Sequence, residues 1–169
     1  MDNKRKSFLI YELQILTINA AVQHNKIYAN ECSDSEKKSF RNKLRDKLNI
    51  LSERYKNDFV LSEDHINNIR EIINFSQEIG ATILNNNKLT FGTAQKLLNL
   101  YLKYLWCADM IKMPPHCPFD RIILEQLGIK DSWTKSDSQE NYLKWVSIAK
   151  LKAGSKSIAE WELETFNRR

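Results

Sequence analysis

A lysine and an aspartate offer the most chemistry in this 169-residue chain. Lys96 stands in Gly92-Thr93-Ala94-Gln95-Lys96, near the start of an apolar helical stretch, and Asp120 follows the stiff segment Pro114-Pro115-His116-Cys117-Pro118-Phe119. A cation in the first turn of a helix opposes the positive end of the dipole. That favours the uncharged amine and makes Lys96 a candidate nucleophile or Schiff-base former. Asp120 opens the run Arg121-Ile122-Ile123-Leu124, where a carboxylate is held by free amides and by the dipole. Each residue also has a plainer role. Lys96 reads as part of a solvent-facing polar set with Gln95, Asn99 and Lys103, and Asp120 reads as a helix cap.

Other groups surround this pair in the sequence. Gly92 stands just before a helix start, where a residue without a side chain lets backbone amides approach an anion, so it marks either a candidate phosphate site or only a turn. Lys103, His116 and Arg121 are candidate contacts to nucleic acid. His116 beside Cys117 raises a thiol hydrolase, but adjacent residues in an extended segment point to opposite sides. A zinc site needs further ligands, and His24 and His65 lie far off without ligand spacing. The three cysteines, Cys32, Cys107 and Cys117, show no CxxC pair, so the chain implies neither a metal nor a disulfide framework. No cofactor is implied. Tyr101, Tyr104 and Trp106 fall at helical spacing and read as core, whereas Trp133, between Ser132 and Thr134, is the least core-like tryptophan.

Four glycines and three prolines, the latter all between Pro114 and Pro118, leave few breaks. The expectation is an all-α fold of about seven helices, a compact helical domain over residues 1–169. The first helix spans about Ser7 to Tyr28, with Phe8, Tyr11, Ile15, Ile18 and Val22 on its apolar side. Ser33 with Glu36 forms a capping box ahead of Phe40, Leu44, Leu48 and Leu51. Lys37, Lys38, Arg41, Lys43, Arg45 and Lys47 surround that stripe, as a solvated face or a supplementary phosphate contact. Ser62 is expected to cap a third helix bearing Ile66, Ile69, Ile73 and Ile79. The loop Asn85-Asn86-Asn87-Lys88 precedes the apolar helix, expected from about Ala94 to Trp106. A short helix from Arg121 to Leu127 stops at Gly128. Asp137 with Glu140 opens a helix bearing Tyr142, Trp145, Val146 and Ala149, and Ser157 with Glu160 opens the last, bearing Trp161 and Phe166.

Composition bounds the function. Hydrophobic residues make up 42% of the chain, which excludes wholesale disorder, and no window approaches the roughly 18 uninterrupted apolar residues of a membrane span. The basic start Asp2-Asn3-Lys4-Arg5-Lys6 leads into an amphipathic helix rather than an export signal, so the expected setting is the cytoplasm, with reduced thiols. Twenty-six Lys and Arg against 21 Asp and Glu give a net charge of +5, a sign that suits a polyanion such as DNA.

The segment from Lys96 to Leu124 resembles the 8-oxoguanine type of helix-hairpin-helix DNA glycosylase. That family carries a glycine-bearing hairpin, a lysine opening a helix of the form K-x-x-x-x-F-L-R, and a later D-R-x-I-L run. Here the corresponding stretches are Lys96-Leu97-Leu98-Asn99-Leu100-Tyr101-Leu102-Lys103 and Asp120-Arg121-Ile122-Ile123-Leu124. The resemblance covers about residues 91–127. It implies a glycosylase with lyase activity in which Lys96 attacks the anomeric carbon, Asp120 stabilises the positive charge that develops there, and the backbone of Phe91 to Thr93 binds phosphate. The rival expectation is a non-enzymatic helical module that binds nucleic acid or a protein partner. Both nucleic-acid readings need basic rims. The enzymatic one also needs Lys96 and Asp120 to meet in one groove, because a base must leave the stack before its glycosidic bond can be reached.

Overall fold

The computed structural model describes residues 3–23 and 25–166, so His24 lies outside the described residues. These contain seven α-helices: α1 (Asn3–Val22), α2 (Asp34–Ser52), α3 (Ser62–Gly80), α4 (Phe91–Cys107), α5 (Arg121–Gln126), α6 (Gln139–Ala153) and α7 (Ile158–Thr165). A single 3-10 turn, Glu53–Tyr55, follows α2. Among the described residues there is no strand, only one isolated antiparallel bridge between Tyr28 and Leu84. The all-α expectation holds.

The helix α4 is the axis of the molecule. It packs against α1, α2, α3 and α6, and 14 of its residues, Phe91 through Lys103 and Leu105, are buried. An apolar core runs from Ile18 on α1 through Leu44 and Leu48 on α2, Ile69 and Ile72 on α3, and Tyr101 on α4 to Trp145 and Trp161 near the C-terminus. Burial of this kind is the main favourable term in folding.

Local sequence accounts for most helix ends. Ser33 accepts a hydrogen bond from the Glu36 amide while Glu36 reaches back to the Ser33 amide, and Ser157 with Glu160 repeats the arrangement at α7. Each such box satisfies two amides that a helix start leaves unpaired. Phe40, Leu44, Leu48 and Leu51 form the buried side of α2 as their spacing predicts.

Several boundaries and faces differ from expectation. The first helix stops at Val22 rather than Tyr28, because Ile27 and Tyr28 leave it to pair with the segment after α3: Ala29 N donates to Ile83 O, and Asn85 N donates to Ile27 O. Its buried side is Gln14, Thr17, Ile18 and Ala21, which leaves Phe8 and Tyr11 exposed. Ser62 is the first residue of α3 rather than its cap. Its hydroxyl instead pairs with His116 Nε2 at 2.8 Å. Likewise Ser138, not Asp137, caps α6. Asp137 is drawn to the start of α4, where it accepts from the Phe91 amide and pairs with Lys88.

Candidate functional site

The helix α4 begins at Phe91, three residues before the expected start, with Thr90 as its cap. Gly92 therefore lies inside the first turn and Lys96 in the second. The polar set Gln95, Lys96, Asn99 and Lys103, expected to face solvent, is buried. No side of α4 is free enough to leave these groups in water, so each finds a partner within the protein, as buried polar groups must.

Gln95 and Lys96 together hold the start of α5. Gln95 Nε2 donates to Phe119 O at 2.7 Å, and Phe119 N donates back to Gln95 Oε1 at 3.1 Å. One amide side chain thereby clamps both backbone polar groups of Phe119, the residue before Asp120. Lys96 Nζ donates to Asp120 Oδ2 at 2.5 Å. The other carboxylate oxygen, Oδ1, accepts from Ile123 N at 3.1 Å and caps α5. Asp120 is thus the helix cap its position suggested, and it also pairs with Lys96.

The pair stands in the wall of a groove of about 1000 Å³. Asp120, Arg121, Gly128, Lys130 and Trp133 line it with Lys96. The side chains of Lys96 and Asp120 are 7% and 18% exposed, so the ion pair is largely shielded yet reachable from the groove. The ring of Trp133 lies 6.0 Å from Lys96 Nζ, measured to its centroid. Arg121 projects at the rim with 77% of its side chain exposed and a 3.8 Å contact to Glu125.

The remaining sequence candidates are placed elsewhere. The amide of Phe91 donates to Asp137 Oδ1, that of Gly92 to Ser136 O, and that of Thr93 to Thr90 Oγ1. All three amides of the expected phosphate site are therefore engaged within the protein, and the loop containing Trp133 and Ser136 covers them. A Cβ at Gly92 would stand 1.7 Å from the Trp133 carbonyl oxygen. This glycine permits a close backbone approach by a loop, not by an anion.

Lys103 is 8% exposed. It pairs with Glu162 at 2.7 Å and lies 4.4 Å from the centroid of the Phe166 ring. Burial pushes the Glu162 carboxyl up and Lys103 pulls it back. Lys103 is thus a structural ion pair rather than a surface contact.

His116 is also enclosed. Its ring bridges Ser62 Oγ and the Tyr142 hydroxyl, at 2.8 and 2.7 Å, with the His65 ring 4.8 Å away. Asn99 Nδ2 donates to the same Tyr142 hydroxyl. The adjacent Cys117 is 1% exposed, and burial pushes its thiol well above the usual cysteine range. A buried, protonated thiol is a poor nucleophile. The described residues contain no group of three or more His, Cys, Asp and Glu arranged to hold a metal ion.

The basic cluster of α2 partly serves packing. Lys37, Arg45 and Lys47 lie over the rings of Tyr28, Tyr11 and Phe75, and Lys47 pairs with Glu71 at 2.6 Å.

Sequence reasoning missed Gln95, whose clamp fixes the peptide beside Asp120. The available signal was a polar residue adjoining the candidate lysine in an otherwise apolar run. Trp133 stood out in sequence as the least core-like tryptophan, and its place by the lysine follows only from the packing of its loop on α4.

No family model, curated protein or solved structure matches this chain.

Proposed function

We propose that this protein is a DNA base-excision enzyme, a glycosylase with lyase activity, that uses Lys96 as nucleophile and Asp120 as its acidic partner. One observation carries the reading: an amine and a carboxylate, far apart in sequence, lie 2.5 Å apart at the wall of a groove large enough for a nucleotide. At rest the two form an ion pair; the amine becomes a nucleophile by passing its proton to Asp120, which hands that proton to the departing base. Attack of Lys96 Nζ on the anomeric carbon forms a C–N bond as the base departs with the glycosidic electrons. Having handed its proton on, Asp120 is again a carboxylate and stabilises the positive charge that develops on the sugar. The added amine then gives a proton to the ring oxygen by way of Asp120 as the bond from the anomeric carbon to that oxygen breaks, which yields the Schiff base. The net charge of +5 and exposed Arg121 suit the phosphate backbone, and the three free cysteines fit the cytoplasm as its setting.

The test is borohydride trapping on duplexes that carry either 8-oxoguanine or an abasic site. A covalent adduct that Lys96→Ala abolishes is expected, and no adduct with either duplex overturns the reading. A second reading draws on the same pair. Asp120 caps α5 and ties it to α4 through Lys96, a complete structural role for a non-enzymatic module that binds nucleic acid or a protein partner. That module gives no adduct, and Asp120→Asn leaves its DNA affinity unchanged.

A further inference from the structure

Gly92 and Trp133 form a unit at the edge of the core, where Trp133 packs against it while half-exposed. The loop of residues 132–137 is fastened to the start of α4 at three points: Gly92 N donates to Ser136 O at 2.8 Å, Thr90 Oγ1 donates to Thr134 O at 3.2 Å, and Phe91 N donates to Asp137 Oδ1 at 3.0 Å. The missing side chain at residue 92 is what lets the loop come this close, since a Cβ would overlap the Trp133 carbonyl. With its backbone pinned, Trp133 presents its half-buried ring to the groove on the side of Lys96. A tryptophan that served only the core would be covered. This one also forms part of the wall of a large open groove, with Lys96 Nζ over its ring.

We propose that Trp133 is the stacking wall of this groove, taking the flat face of a nucleobase, and that Gly92 is the positioning residue that sets it against Lys96. The choice of a nucleobase rests on the nucleic-acid reading above. An indole face and a base face stack without regard to base identity, so the wall supplies affinity for a base and leaves sequence preference to other groups. Arg121 and Lys130 line the groove alongside Glu125 and Asp131, and Arg121, exposed at the rim, is the cation set to meet the sugar-phosphate chain that such a base brings with it.

The test compares two single-stranded probes of equal length, oligothymidylate and an oligomer of the same backbone lacking bases, by equilibrium binding at fixed salt. Single strands present bases without the cost of leaving a duplex. The expected result is a preference for the base-bearing probe of at least about fivefold, the low end of what stacking on an aromatic ring contributes. Trp133→Ala should remove that preference while leaving affinity for the base-free probe unchanged, and Trp133→Phe should keep most of it. Gly92→Ala should mimic Trp133→Ala with an unchanged helical circular dichroism signal. Equal binding of both probes by the wild type, or a preference that survives Trp133→Ala, overturns the proposal.

Loss of the preference in Trp133→Ala together with retention in a folded Gly92→Ala variant overturns the part assigned to Gly92. Trapping on the abasic duplex decides the chemistry separately. An adduct without base preference removes the wall and keeps the lyase, whereas base preference without an adduct keeps the wall and removes the lyase.

Discussion

Asp120 accepts from Lys96 Nζ on one carboxylate oxygen and from the Ile123 amide on the other. The two bonds tie α4 to the first turn of α5 through a single side chain, and they separate what charge does from what capping does. Asparagine caps a helix about as well as aspartate but carries no charge. Asp120→Asn should therefore keep α5 and still lose about 3 kcal/mol, because it leaves Lys96 buried and unpaired. Asp120→Ala should lose roughly 1 kcal/mol more through the cap. Combining Lys96→Met with Asp120→Asn should recover most of the loss. Urea denaturation of the three variants and the wild type checks this, and equal stability of Asp120→Asn and wild type would count against the pair as drawn.

The Gln95 clamp makes a different prediction. Gln95→Leu fits the apolar surroundings of α4 but strips the partners from the backbone N–H and C=O of buried Phe119, at about 1–3 kcal/mol for each group left unpaired. In the proposed enzyme the peptide beside Asp120 then loses its hold, and the rate of adduct formation should fall at least tenfold, roughly the effect of a misplaced acid. Binding of the duplex should change little. Single-turnover trapping against equilibrium affinity separates the two effects.

The histidine pair fixes a pH dependence of stability. Burial lowers His65 to about 4 and holds His116 well below the usual histidine range. Both are neutral when folded and gain protons more readily when unfolded, near pH 6.5. Stability from these groups is fully present above that value and declines as pH falls from 6.5 towards 4. The decline should amount to roughly 3 kcal/mol for His65 alone. His65→Gln, neutral throughout, should flatten the slope of denaturation midpoint against pH between 6.5 and 4.5. An unchanged slope would show that His65 titrates in the folded state.

Arg121 and Lys103, paired in the sequence reading as DNA contacts, should now behave differently. Arg121→Ala removes an exposed rim cation, so the log–log salt slope of DNA binding should fall by about 1 with no loss of stability. Lys103→Ala should leave the slope alone and cost stability by stranding Glu162. Salt titrations of affinity alongside thermal melts distinguish them.

How much the sequence disclosed depended on whether an interaction was local. The capping boxes at Ser33 and Ser157, the apolar stripe of α2 and the order of the helices are set within a few residues, and all were legible. The pairing of Lys96 with Asp120 was readable only as a resemblance, because their approach depends on the path of the proline segment between them. The interior polar groups were misplaced for a physical reason. In sequence, Gln95, Asn99 and Lys103 look like one wetted face, and nothing local reveals that α4 has neighbours on every side. Gly92 was read as a place for an anion because the signal, a glycine near a helix start, is identical when the approaching backbone belongs to the same chain. The face of α1 was misjudged because apolar residues occur almost all round it, so periodicity alone did not choose a side.

The close seating of the Trp133 carbonyl on Gly92 bears on how this scaffold can be altered. Residue 92 and segment 132–137 are one module in three dimensions, although about 40 positions separate them along the chain. Grafting a foreign loop at 132–137, or diversifying it in a library, succeeds only with donors whose backbone also rests on a glycine. Randomising residue 92 beside a retained loop should return glycine almost alone. Recombination designs that place a crossover between the two would separate parts that fit only as a set.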